Sequence, residues 1–129
     1  MEAEVKLVKS LYLKGAILHF SVALLMLVTV FDAGIWTFVA LGVSGFSFLW
    51  VWKHPIYKVS RSQRQSITSK YKLPWYSWFL NFSGGIAGGL YCHFAFGWNW
   101  LSSLNMGLIV LILISGIMTL IYASRMQTD

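Results

Sequence analysis

The sequence predicts an all-α polytopic membrane protein, a single domain of residues 1–129 with four transmembrane helices arranged as two antiparallel hairpins. Hydrophobic residues make up 57% of the chain and charged residues only 11%, against roughly 25% charged in ordinary soluble domains. The apolar residues also cluster in four stretches, each near the ~20 residues that cross a ~30 Å hydrocarbon core as a helix. These predicted spans are residues 11–31, 34–52, 75–97 and 104–123.

The first apolar stretch is interpreted as a retained helix and not as a signal peptide. It is longer than a typical signal-peptide core, and no A-x-A-like cleavage site follows it. Instead, Asp32-Ala33-Gly34 leads directly into the second stretch. We therefore expect a short outer turn between the first two helices, and a second one between the last two.

The polar segment of residues 53–74 separates the two predicted hairpins. Pro55 and Pro74 bracket it and favour the ends of the flanking helices. The middle of this segment is expected to be a partly ordered strip along the headgroups, with a short interfacial helix as the alternative. The last span, which contains GLIVLILISGIMTLIY, is nearly all aliphatic and is expected to face lipid or a partner.

The ten Lys and Arg residues predict the orientation. They fall near the N-terminus, in the central segment and after the last span, whereas the two outer turns carry none. The positive-inside rule then places both termini and the central loop in the cytoplasm, an N-in/C-in topology in what we expect to be a bacterial inner (plasma) membrane. The basic loop comprises Lys53, Lys58, Arg61, Arg64, Lys70 and Lys72.

The formal net charge of +6 is therefore attributed to topology and not to nucleic-acid binding. The expected partner of the basic loop is a bilayer with anionic headgroups, to which each basic residue contributes about 1 kcal/mol.

The stretch NFSGGIAGGLYCHF contains two glycine pairs. A phosphate-binding loop would need a strand–turn–helix context and a Gly-Lys-Ser ending, and this stretch lies inside a predicted span. Gly84 and Gly88 are four apart, as are Gly85 and Gly89, which predicts a strip for close helix packing. A kinked or broken helix lining a cavity is the alternative. Gly107, in the last span, is expected to matter less than Gly88.

Catalysis, cofactors and metal ions are not expected. Cys92 and His93 are adjacent, so their side chains diverge by about 100° on a helix and form no local dyad. His19 and His93 should differ in depth by roughly 15 Å, which is a poor arrangement for ligating one haem iron. The candidate polar residues within the spans, expected to hydrogen-bond neighbouring helices, are His19, Asn81, Ser83 and His93.

The segments KLVKSLYLKG and FSFLWVWKH, together with the length, the four helices and the basic central loop, are similar to GtrA-like proteins. That resemblance implies movement of polyprenyl-linked sugars. Ion-coupled transport, however, usually needs an ionisable group deep in the membrane, and no Asp, Glu or Arg lies in any predicted span.

The favoured interpretation is a small non-catalytic protein that binds another membrane component, as an accessory subunit or an immunity- or exclusion-type protein. A membrane-protein partner or a homo-oligomer is expected. The alternative is a small oligomeric transporter or flippase.

The threading can be tested by cysteine-accessibility labelling in a Cys92→Ser background. Ser62→Cys should be shielded in intact cells and Ser102→Cys should react with an impermeant reagent, because the positive-inside rule places them on opposite sides. Labelling of position 62 from outside would overturn the topology.

Overall fold

A computed structural model describes residues 2–31 and 34–126 of the chain, with the side chain of Glu2 excepted. These residues form five α-helices and one short 3-10 helix, and no strand occurs among them. The all-α prediction is thus confirmed, while the outer turn at Asp32 lies outside the described residues. The helices are α1 (Glu2–Val30), α2 (Ile35–Trp52), the 3-10 helix (Pro55–Lys58), α3 (Arg61–Lys70), α4 (Trp75–Phe96) and α5 (Trp100–Arg125).

Local signals define the ends of α4 and α5. Helix α4 ends at Phe96, and Gly97 after it adopts the left-handed conformation with φ 69°. The Trp98 N–H donates back to the Cys92 carbonyl at 3.2 Å. Two residues later the Asn99 side chain accepts a hydrogen bond of 2.8 Å from the Ser102 N–H and caps α5. This tight connection reverses the chain.

The four long helices pack in a row, in the order α2, α1, α5, α4. Neighbours run antiparallel, since contacts follow one another in reverse order: Tyr12–Tyr122 and then His19–Ser115 between α1 and α5, and Lys14–Trp50 and then Ser21–Ser44 between α1 and α2. The two central helices are therefore the first and the last in the chain.

The position of α5 is more central than its sequence indicates. It packs between α1 and α4, while aliphatic side chains such as Leu104 and Ile117 stay exposed and leave the expected contact with lipid or a partner a prediction. Hydropathy cannot distinguish a lipid-facing side from a helix-facing side, because lipid tails and aliphatic side chains are equally apolar. The buried positions of α5 are Ser103, Gly107, Ile109, Gly116, Thr119 and Ala123, most of them small.

The central segment is more ordered than expected, because α3 is a regular helix and not a partly ordered strip. The Ser60 hydroxyl accepts a hydrogen bond of 3.3 Å from the Gln63 N–H at its first turn. Ser60-x-x-Gln63 is the spacing of a capping box, and this local signal predicts a helix start.

Three of the long helices, α1, α2 and α5, are long and apolar enough to cross a membrane, which is consistent with an integral membrane protein. Helix α4 has 22 residues, a sufficient length, but its glycines and polar residues make it less apolar than the other three. The coarse prediction of membrane-spanning helices is borne out for three helices, and the four-span threading stays a prediction.

Candidate functional site

Helix α4 packs onto α5 with the two backbones in direct contact. A Cβ added to Gly85 would lie 2.9 Å from the Gly107 carbonyl oxygen, and one added to Gly107 would lie 2.7 Å from that of Gly85. At Gly89 the nearest atom would be the Ser103 carbonyl oxygen, at 3.0 Å. The distances at Gly85 and Gly107 are too short for a side chain, so only glycine permits this approach there, and the distance at Gly89 is tight.

The remaining glycines of the predicted strip face side chains of α5. A Cβ on Gly88 would lie 3.0 Å from a methyl group of Val110, and one on Gly84 would collide with Ile114. All four glycines thus face α5, and α4 continues without interruption from Trp75 to Phe96. The alternative of a broken helix does not describe this structure.

The part that Gly107 plays in helix packing is larger than expected, because the backbones of α4 and α5 approach most closely at this residue. The available signal was the spacing of Ser103 and Gly107, four residues apart on one face of α5, which is itself a small-xxx-small pair. The aliphatic residues around it obscured this pattern.

A groove of about 320 Å³ runs along one side of the glycine interface, with the glycines as its floor and large apolar side chains as its walls. The wall residues are Phe82, Ile86, Leu90, Trp100, Leu104, Leu108 and Leu111.

His19 joins the two central helices. Its Nδ1 lies 2.6 Å from the Gly15 carbonyl oxygen, which can only accept, so Nδ1 carries the proton. In the neutral ring Nε2 is then an acceptor, and it lies 3.4 Å from the Ser115 hydroxyl of α5. A Cβ on Gly116 would lie only 3.1 Å from the His19 Cβ, so the helices are close here too.

His93 belongs to the other end of the molecule. Its Nδ1 lies 2.7 Å from the Trp98 carbonyl oxygen, and its ring stacks on Trp100 with centroids 3.5 Å apart. The α5 residues that the two histidines contact, Ser115 and Trp100, are separated by about 22 Å of helix at ~1.5 Å per residue. The histidines therefore do not share one site.

The two other polar candidates differ from each other. The Asn81 side-chain oxygen is shielded from solvent and has no hydrogen-bond partner among the described residues, whereas Ser83 is exposed. The four predicted polar residues do not converge.

The basic loop separates into two groups. Lys53, Lys58 and Arg64 line a groove of about 330 Å³ together with Trp52, His54 and Tyr57. The other three lie outside this groove: Arg61 and Lys72 are exposed, and the Lys70 ammonium lies 3.6 Å from a Glu4 carboxylate oxygen.

Aromatic rings hold the basic groove in shape. Trp52 and Tyr57 stack with ring centroids 6.4 Å apart, and the Arg64 guanidinium lies 5.4 Å from the Tyr57 centroid. This arrangement favours groups that carry negative charge, since three cations surround one concavity.

His54 forms the base of this groove and was not singled out by the sequence. It is 1% exposed, and its Nδ1 accepts a hydrogen bond of 3.2 Å from the Ile56 N–H, which caps the 3-10 helix. Burial lowers the pKa of His54, and the nearby charge of Lys14 lowers it further.

Comparison of the chain with protein-family models, curated proteins and solved structures finds no match. No family model therefore supports the resemblance to GtrA-like proteins. The fold and these sites define the class: a helical protein with three helices suited to a membrane, a glycine-packed helix pair and a basic end.

The glycine interface predicts opposite effects of one added methyl group at two helical glycines. Gly107→Ala should destabilise the purified protein by about 1–3 kcal/mol, because its Cβ would press on the Gly85 carbonyl. Gly42→Ala is the matched control, since a Cβ there meets nothing within 4 Å and alanine favours helix by about 1 kcal/mol. Thermal unfolding in detergent measures both, and equal shifts of the two variants would contradict the interface.

The buried His54 predicts acid sensitivity. The lowered pKa of His54 means that the folded chain disfavours protonation of this ring, while the unfolded chain protonates it near pH ~6.5, so stability is full above that pH and falls as the pH drops below it. His54→Asn should flatten this dependence between about pH 7 and about pH 5, because Asn also caps but does not titrate. An unchanged pH profile in this variant would assign the acid sensitivity to other groups.

Proposed function

We propose that this chain is a four-span, N-in/C-in protein of a bacterial inner membrane that works without catalysis, by binding another membrane component. It serves as an accessory subunit or as an immunity- or exclusion-type protein. The observation that carries the proposal is how its polar side chains are used: most of those between the helices bond to neighbouring groups of the chain, while an outer helix keeps an uncovered apolar face.

The threading is supported by where the antiparallel helices bring the basic groups. The Lys9 ammonium donates to the Met126 carbonyl at 3.3 Å, and the Tyr12 hydroxyl donates to the Tyr71 carbonyl at 2.6 Å. The N-terminus of α1, the C-terminus of α5 and the central segment therefore share one end. Helix α4 lies alongside α5, which supports counting it as the fourth span.

The internal hydrogen bonds argue against a polar path across the bilayer. The Ser44 hydroxyl donates to the Ser21 carbonyl at 2.9 Å, and the Ser21 and Ser47 hydroxyls lie 3.2 Å apart. The Thr119 hydroxyl donates to the Ser115 carbonyl within α5. Side-chain hydrogen bonds between membrane helices average about 0.6 kcal/mol, so the bonds of Ser21 act as helix-to-helix contacts, while the Thr119 bond stays within one helix.

Both outer helices expose apolar side chains, for example Phe94 of α4 at 74%, and the face proposed for the partner is that of α2. This helix packs against α1 through Ala40, Ser44 and Ser47, which are its buried residues. On the opposite side Phe38 is 74% exposed and Phe46 is 75% exposed. Gly42 lies between them on the helix, with open space around it.

A flat position between two aromatic side chains suits a helix of another membrane protein, because small residues permit close approach of backbones. The partner is therefore proposed to be a transmembrane helix that packs on α2.

The alternative, a small oligomeric transporter or flippase, is favoured by one observation. The Asn81 oxygen lacks a partner inside the α4–α5 half of the molecule, and an unpaired buried polar group is costly unless a function uses it.

The proposal is tested by affinity purification in mild detergent, with mass spectrometry of the membrane proteins that co-purify. Gly42→Leu should reduce recovery of the partner about tenfold or more, because the added side chain occupies the contact face. Ala87→Leu, at an exposed small residue on α4, is the matched control and should retain the partner.

The purification, together with the phenotype of cells that carry the same variants, separates the two functions. His93→Ala and Asn81→Ala should leave recovery of the partner unchanged if binding is the function. If either variant folds normally yet reproduces the phenotype of a deletion, while Gly42→Leu does not, the transporter is the correct interpretation.

A further inference from the structure

The basic groove at the end of α2 collects cations from three consecutive parts of the chain. Lys53 directly follows α2, Lys58 ends the 3-10 helix, and Arg64 lies in the first half of α3. All three line one concavity of about 330 Å³. An anion bound there would therefore face positive charge from several sides.

The segment that carries these cations is fixed to the helix bundle. Ile56 of the 3-10 helix is buried, and this short helix packs against α1. The Ile56 N–H donates to Nδ1 of His54, which is buried as well. The base of the basic groove is therefore part of the packed structure and not a free surface loop.

His54 supplies an uncharged donor at the base of the groove. Because its Nδ1 accepts the Ile56 N–H, the proton of the neutral ring is on Nε2. Burial lowers the pKa of His54 and so favours this neutral form. No described residue accepts a hydrogen bond from Nε2, so this N–H is available to a group bound in the groove.

The three cations are not neutralised by the part of the chain that the structure describes. Neither Lys53 nor Lys58 forms an ion pair with a described residue, and Arg64 contacts the ring of Tyr57, which is uncharged. Glu4 is the one carboxylate whose side chain is described, and it pairs with Lys70 outside the groove. The described residues of the groove therefore carry a net positive charge.

We propose that the basic groove binds one phosphate group. Its three cations neutralise the negative charge of the phosphate, the planar fork of Arg64 donates to two oxygens, and the Nε2–H of His54 donates to a third. This inference does not depend on a protein partner, so failure of the partner assay leaves it intact.

The position of the groove bears on the source of the phosphate. Trp52, the last residue of α2, stacks on Phe48 of the same helix with ring centroids 6.0 Å apart, and both rings are exposed. The apolar surface of α2 thus leads directly to the cations. A lipid headgroup and a free phosphate ion share the chemistry that the groove recognises, but only the lipid carries chains that fit this surface.

Native mass spectrometry of the unaltered protein in a nonionic detergent provides the first test. Phosphatidylglycerol should bind with one copy per chain, and about tenfold or more tightly than phosphatidylcholine with the same acyl chains, since the cations of the groove repel the choline group. Equal binding of the two lipids, or no binding of phosphatidylglycerol, would overturn the proposal.

Competition with inorganic phosphate distinguishes the two sources. If excess inorganic phosphate displaces phosphatidylglycerol, the groove accepts the free ion as well as the headgroup. If it does not, the phosphate has to be carried by a lipid. Both results support a phosphate site, and they differ in the molecule that delivers the phosphate.

Matched double variants test where the phosphate group binds. Lys53→Gln combined with Lys58→Gln should weaken phosphatidylglycerol binding about tenfold or more, because two of the three cations are lost. The control combines Arg61→Gln with Lys72→Gln, which removes the same charge at exposed positions outside the groove, and it should bind as the unaltered protein does. Equal loss in both double variants would show that only total charge matters and would overturn a defined site.

A variant that keeps the net charge tests the geometry, and it also stands if the double variant fails to fold. Arg64→Lys replaces the planar fork by a single ammonium, so it should weaken phosphatidylglycerol binding about threefold or more. Arg61→Lys, the same change three residues earlier on α3 and outside the groove, is the matched control and should leave the affinity unaltered. Equal affinities of these two variants would contradict the proposed site.

Discussion

The arrangement of the helices depends on how closely their backbones can approach α5. Between membrane helices there is no hydrophobic driving force, because lipid tails are as apolar as leucine, so packing depends on shape. Helix α5 meets α4 at Gly107 and α1 at Gly116, on two different faces. A single helix with two glycine contacts can hold two neighbours, and this explains why α5 is central although its sequence resembles a lipid-facing segment.

The same packing gathers the charge. Because each helix runs antiparallel to its neighbour, the start of α1, the central segment and the end of α5 come together, and their basic residues line two separate grooves. One groove is formed around aromatic rings and the buried His54, and the other continues into apolar surface along α1. The two grooves share the same sign of charge but differ in the side chains that lie next to that charge.

Much of the fold follows from simple patterns, and the rest depends on contacts that no local pattern encodes. Apolar length predicts the helices, and four-residue spacing predicts that Gly84, Gly85, Gly88 and Gly89 share a face. The order of helices in the row does not follow, since it requires knowing which faces meet. The capping-box spacing of Ser60 and Gln63 predicts that α3 starts after Ser60, but this signal is easily overlooked in a segment with many polar residues.

The candidate sites show the same division. Trp50 and Leu120 border the lysine-bearing part of α1, but they come from helices that are far from it in sequence. The sequence suggests that His54 is an interfacial residue, whereas in the fold it caps the 3-10 helix and is only 1% exposed. Burial of this kind is a tertiary property, and so is the lowered pKa that results from it.

Asn81 is the residue at which the two proposed functions differ most clearly. An amide oxygen left without a hydrogen bond in a shielded position costs about 1–3 kcal/mol, and helix propensity alone would favour alanine or leucine there. By contrast, His19 and His93 each have a carbonyl within 2.7 Å and contribute to the packing of the isolated chain. Packing therefore accounts for the histidines but not for Asn81. A transported polar group could supply a donor and remove that cost, whereas a partner helix packed on α2 would lie at the other end of the row from α4 and would leave Asn81 unpaired.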